Sequence, residues 1–151
     1  MDGRKILLAN LSKGALGAMH AKLLGAMIVS AIANAAMARI AIDTRVVAPE
    51  DRVPHFLIVD EFQNFATENF AEIFSELRKA KLGAILSHQY LQQAPPSLRA
   101  AILGNAGTII AFALSASDSV EIAQELGLKS APPLVDQAEG EAWVRHVTYG
   151  G

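Results

Sequence analysis

A chain of 151 residues with 52% hydrophobic and 19% charged side chains is sized for one domain and can build a core, which excludes a disordered chain. Its 15 acidic residues against 13 Lys and Arg leave a formal charge of -2, without the positive excess of a free-standing nucleic-acid-binding module. There is no cysteine, which removes disulfides, thiol catalysis and thiolate-bound zinc, and His20, His55, His88 and His146 lie too far apart for an H-E-x-x-H metal site.

Residues 5–11 (KILLANL) form an apolar run closed by Ser12-Lys13-Gly14, the pattern of a strand and a turn. A long helix is expected from Ala15 to about Ile42; it is apolar on nearly every face and should be covered on most sides. Its uncharged stretch, Leu23 to Ala38, is shorter than the roughly 20 residues of a membrane span and is interrupted by Gly25, Ser30 and Asn34. It therefore reads as a buried helix of a soluble, cytoplasmic domain, and its internal position does not suit a signal peptide. Residues 43–54 are polar with two prolines and read as a surface loop. His55 to Asp60 is a short, continuously apolar strand of the kind buried on both faces of a parallel sheet.

In the next helix Phe70, Ile73, Phe74 and Leu77 make one apolar stripe, Asn69 with Glu72 forms a capping box, and Gly83 is the stop. Ala84 to Ser87 is a second buried strand, Gln89 to Pro96 a polar loop, and Ser97 to Leu103 a short helix ended by Gly104-Asn105. Thr108 to Leu114 is another apolar strand, and Ser117 can cap a helix that runs to Leu126 and stops at Gly127. Residues 128–151 read as a loop with Pro132-Pro133 and an edge strand from Glu141 to Thr148. Strand and helix alternate throughout, which is the sign of an α/β domain over residues 1–151, a parallel sheet wrapped by helices.

In such sheets ligands bind at the carboxyl ends of the strands. There the second strand ends in Asp60-Glu61 and the third in Ser87-His88-Gln89. Four apolar residues followed by Asp-Glu (Phe56 to Glu61) have the order of a Walker B strand, in which the aspartate holds Mg²⁺ and the glutamate orients or deprotonates a water. An acidic helix start after a buried strand produces the same letters. Lys79 and Lys81 suit either phosphate contacts or a solvated face, Phe62 and Phe65 a core or a subunit interface, and Trp143 packing.

The segments KILLANLSKG, FLIVDEFQNF, SELRKAKLGAILSHQYLQQ and LGNAGTIIAFALSASDSVEIAQELG, in this order over residues 5–127, resemble the conjugative coupling ATPases of type IV secretion (TraD/TraG-like), within the HerA/FtsK group of ring-forming motors. The resemblance implies a RecA-like fold with Asp60 on Mg²⁺, Glu61 as catalytic glutamate, Gln89 as the polar sensor of the γ-phosphate, and Arg78 as a finger reaching a neighbouring subunit's nucleotide. It further implies ATP as substrate, a homo-oligomeric ring (a hexamer is expected), single-stranded DNA and relaxosome proteins as partners, and work at the cytoplasmic face of the inner membrane.

One departure stands out. The phosphate loop G-x-x-x-x-G-K-[ST] occurs nowhere in the chain, and Ser12-Lys13-Gly14-Ala15 has its order reversed. The chain is therefore expected to be the Walker B half of a RecA-like ATPase, starting partway through the motor domain and pairing with an upstream half. Alone it should bind ATP poorly and hydrolyse it negligibly. The alternatives are a non-catalytic α/β interaction module and another HerA/FtsK-type DNA motor.

Overall fold

Gly17 divides the first helical region. The structure, a computed structural model, describes residues 5–42, 51–65 and 70–147 together with Gly3 and Ala48. Lys13–Leu16 is a single turn, α1, and Ala18–Ile40 is α2; between them Gly17 has φ 77°, a left-handed value open to glycine and not to a continuing helix. The expected helix from Ala15 is thus two elements.

The covering of α2 is also narrower than expected. Ala21, Gly25, Val29, Ala33, Ala36 and Arg39 form one buried stripe, whereas Leu23 and Met27 are 59% and 60% exposed. Small residues at spacings of four and three let the backbone approach its neighbours closely, so a thin seam suffices for contact. Gly25 marks the tightest point: a Cβ there would lie 2.2 Å from Cδ1 of Phe65. Gly25→Ala, which in an open helix gains up to about 1 kcal/mol, should here destabilise by about 1–3 kcal/mol, read as a lower urea midpoint. By length and composition α2 could also cross a membrane, and only 28% of its apolar window is buried.

Two strands follow, β1 at His55–Val59 and β2 at Leu82–Leu86, paired in parallel with His55 opposite Leu82 and Val59 opposite Leu86. Between them lies α3, Phe70–Glu76, whose Phe70, Ile73 and Phe74 pack with Val29, Val59 and Leu98 in one core cluster. The helix is shorter than the stripe suggests: Leu77 to Lys81 are a turn, with Lys81 at φ 50°. Gly83 is not its stop but lies inside β2 opposite Phe56, whose ring lies close to where a Cβ would stand. Asn69 and the side chain of Glu72, the expected capping pair, lie outside the described residues, as does most of the 43–54 loop. Within that region Arg52, buried at 6% exposure, donates to the carbonyls of Lys79 (3.2 Å) and Ile42 (3.4 Å).

Helix α4 spans Pro96–Asn105 with proline in its first turn, where a missing N–H is harmless. Strand β3, Thr108–Ala111, pairs antiparallel with β4, Trp143–His146. Helix α5 spans Ala116–Glu125, capped by Ser115, whose hydroxyl accepts from the Asp118 N–H at 3.2 Å; Ser117, the expected cap, lies inside the first turn. Gly127 ends the region as expected, with φ 71° and the N–H of Leu128 bonded to the carbonyl of Ala123 at 2.9 Å. A short α6, Pro132–Val135, was not anticipated, and its buried Leu134 joins Ile109, Ile122 and Leu103 in a second core.

The molecule is therefore mixed α and β, with a small parallel sheet, but not the single parallel sheet expected. Among the described residues the sheets are two, β1–β2 and β3–β4. Residues 5–11 form no strand: among the described residues they find no ladder partner, and Ile6 and Leu8 are 88% and 89% exposed. Nor is β1 buried on both faces. Leu57 and Val59 face the core, while Phe56 and Ile58 are exposed and apolar.

Candidate active site

The carboxyl ends of β1 and β2 are tied together beyond their last paired residues. The Ser87 N–H donates to the Val59 carbonyl (3.0 Å) and the Phe62 N–H to the Ser87 carbonyl (2.8 Å), so the backbone at Asp60 and Glu61 turns over Ser87. Glu61 adopts the left-handed conformation (φ 52°, ψ 43°), which costs a non-glycine residue about 1–2 kcal/mol. A 3-10 turn, Phe62–Asn64, follows at once and is anchored by Phe62, 1% exposed, against the rings of Phe70 and Phe74.

This turn aims the two acids differently. Oδ1 of Asp60 accepts from the Glu61 N–H at 3.0 Å and from the Ser87 hydroxyl. Glu61 Oε1 accepts from Gln89 Nε2 at 2.8 Å, while Oε2 accepts from Gln63 Nε2. Asn64 Nδ2 donates to the Glu61 carbonyl at 3.1 Å, and the Lys13 ammonium donates to Asn64 Oδ1 at 2.9 Å. Asp60, Glu61 and Gln89 thus meet at one edge of the parallel pair. Asp60 and Glu61, but not Gln89, also line the end of a cleft of about 1280 Å³ whose walls are residues 5–14, α2 and β1.

Next to Gln89 stands His88, exposed on its outer side. The protein packed on its inner side pulls its pKa below the usual 6.5, while the negative charges of Asp118 and Glu61 pull the other way. Asp118 is itself buried at 2% exposure and accepts the Leu91 N–H at 3.2 Å.

Arg78 is not brought to this group. It lies in the turn before β2, at the amino end of the sheet, whereas the acids and Gln89 are at the carboxyl end. Lys79 pairs with Glu76 at 2.6 Å on the surface. Phe62 and Phe65 are core residues, and Trp143 is 41% exposed on β4. Sequence reasoning did not single out Lys13, Gln63 and Asn64 as neighbours of the acids. For Gln63 and Asn64 the available signal was their place in the turn that follows Asp60-Glu61; for Lys13, 51 residues from Asn64, there was none.

Among the described residues no three His, Asp or Glu side chains converge as a metal cage. A lone strand-end carboxylate nevertheless fits Mg²⁺, which keeps several waters and takes one or two carboxylates together with substrate phosphates. Glu61 has both carboxylate oxygens held by amide donors, Gln63 and Gln89, so its side chain is oriented from two sides. In comparisons with protein-family models, curated proteins and solved structures, nothing matches this chain.

Proposed function

We propose that the chain is the Walker B half of a RecA-like, DNA-translocating ATPase that serves conjugative transfer through a type IV secretion system, at the cytoplasmic face of the inner membrane. The observation that carries the reading is the meeting of Asp60, Glu61 and Gln89 at the carboxyl end of two parallel strands, with Glu61 held in a strained backbone conformation that points it at Gln89. Strain at such a point is retained where geometry matters more than stability.

In this reading Asp60 would hold Mg²⁺, which would supply charge neutralisation on the phosphates. Glu61 takes a proton from the attacking water, and Gln63 and Gln89 hold its carboxylate in place for that transfer. Gln89, bridging from the neighbouring strand, senses whether the γ-phosphate position is filled. Arg78, at the far end of the sheet from the acids, takes the role of a finger on a neighbouring subunit's nucleotide only by the sequence resemblance. Single-stranded DNA and relaxosome proteins follow from the sequence resemblance alone.

The phosphate loop must come from another segment. The exposed apolar face of Phe56, Ile58 and Ile85 supports a second body of protein packing there. That same face also favours the second reading, a non-catalytic α/β interaction module. The two separate on one experiment: joined to an upstream-encoded segment bearing G-x-x-x-x-G-K-[ST], the chain should show Mg²⁺-dependent ATP hydrolysis. A well-folded joined protein that hydrolyses no ATP leaves the module.

A further inference from the structure

We propose that Asp118 is a positioning residue for Gln89: its buried carboxylate pins the segment after β2 in the conformation from which Gln89 reaches Glu61, and so ties α5 to the candidate site. The inference rests on the reading of Glu61 and Gln89 given above.

Asp118 is where a carboxylate is hard to keep. It is 2% exposed, and one of its oxygens is buried without a partner among the described residues. Burying an under-paired carboxylate is unfavourable, and the favourable field of a helix first turn offsets only part of that cost. Nor is Asp118 needed to cap α5, because Ser115 already does so. What the carboxylate does hold is the Leu91 N–H, at 3.2 Å.

That bond lies two residues beyond Gln89. Ser87 is fixed on the other side by its two backbone bonds to Val59 and Phe62. Leu91 is fixed by Asp118 and by its own burial at 2% exposure in the core with Ile122. Only His88, Gln89 and Tyr90 span the two anchors, so few backbone arrangements remain and Gln89 is presented to Glu61 at 2.8 Å. Helix α5 grips the same region again through Glu121, which accepts from Arg99 (2.9 Å) and from Gln92 (3.4 Å). A change at Gln89 is therefore felt by α5, and a change in α5 by Gln89.

Nuclear magnetic resonance of the full chain tests this without nucleotide. In Asp118→Ala the Gln89 side-chain amide signals should move to the positions of a free glutamine, and Asp118→Asn, whose amide oxygen can still accept from Leu91, should restore them. A merely structural role would leave a folded Asp118→Ala with unchanged Gln89 signals, and that result overturns the proposal. Because coupling is reciprocal, Gln89→Ala, an exposed change, should raise hydrogen exchange at the Leu91 amide by about fivefold or more. If Asp118→Ala does not fold, this second measurement decides, and unaltered Leu91 exchange overturns the proposal. Neither readout involves ATP. Failure here leaves the ATPase reading standing, and failure of hydrolysis in the joined protein leaves the coupling standing.

Discussion

Glu61→Gln, made in the chain joined to a phosphate-loop segment, is expected under the proposed function to lower ATP turnover by about 10²–10⁴-fold while nucleotide affinity stays within a few-fold. The substitution keeps the shape and one acceptor oxygen, so Gln89 Nε2 retains a partner and the turn over Ser87 is undisturbed. It removes the charge and the capacity to take a proton from water. Steady-state hydrolysis and equilibrium binding of a fluorescent nucleotide separate the two effects. Turnover within threefold of the parent would show that Glu61 orients nothing essential, and the acid pair would then be an ordinary polar strand end.

Phe62→Ala should be the most damaging single change to the fold of this region, at about 3–5 kcal/mol out of the 5–15 kcal/mol that such a domain typically holds. The ring is 1% exposed, meets Phe74 edge-on at a centroid distance of 5.6 Å and Phe70 at 6.2 Å, and sits in a core shared by α2, α3, α4 and β1. It also follows Glu61 directly and starts the 3-10 turn. Its removal therefore loosens the element that holds the acid in its left-handed conformation. Thermal unfolding should show a melting temperature lower by about 10 °C or more, and a loss under 1 kcal/mol in urea titration would contradict the packing described.

The left-handed conformation of Glu61 restricts the motion of its side chain. A residue held at φ 52° by flanking bonds cannot swing freely. The flanking bonds are the Ser87 ladder on one side and Asn64 Nδ2 on its own carbonyl on the other. The orientation of Glu61 is thus settled on folding, as the proposed role of general base would require. Gln63, two residues on, completes the arrangement from the same turn.

Much of this was readable one residue at a time. The apolar run before Asp60, the stripe of Phe70, Ile73 and Phe74, the glycine stop at Gly127 and the polar ends of two strands are local patterns, and local rules of spacing and capping suffice to recognise them. The apolar character of KILLANL and of Phe56 and Ile58 was equally plain. What those residues would touch was not. A continuous apolar run signals a strand with two covered faces only if covering elements exist. Among the described residues they cover one face of β1 and leave residues 5–11 without a ladder partner.

The chain's own letters therefore decided its class, its strand and helix candidates, and the chemistry available at Asp60, Glu61 and Gln89, because composition and periodicity are properties of neighbours along the backbone. Tertiary structure alone decided that Gln89 reaches Glu61, that Arg78 lies at the opposite end of the sheet, that Lys13 arrives beside Asn64, and that β3 pairs with β4 rather than joining β1 and β2. Those are contacts between residues far apart in sequence, set by which surfaces can be buried together, and spacing along a chain carries no record of them.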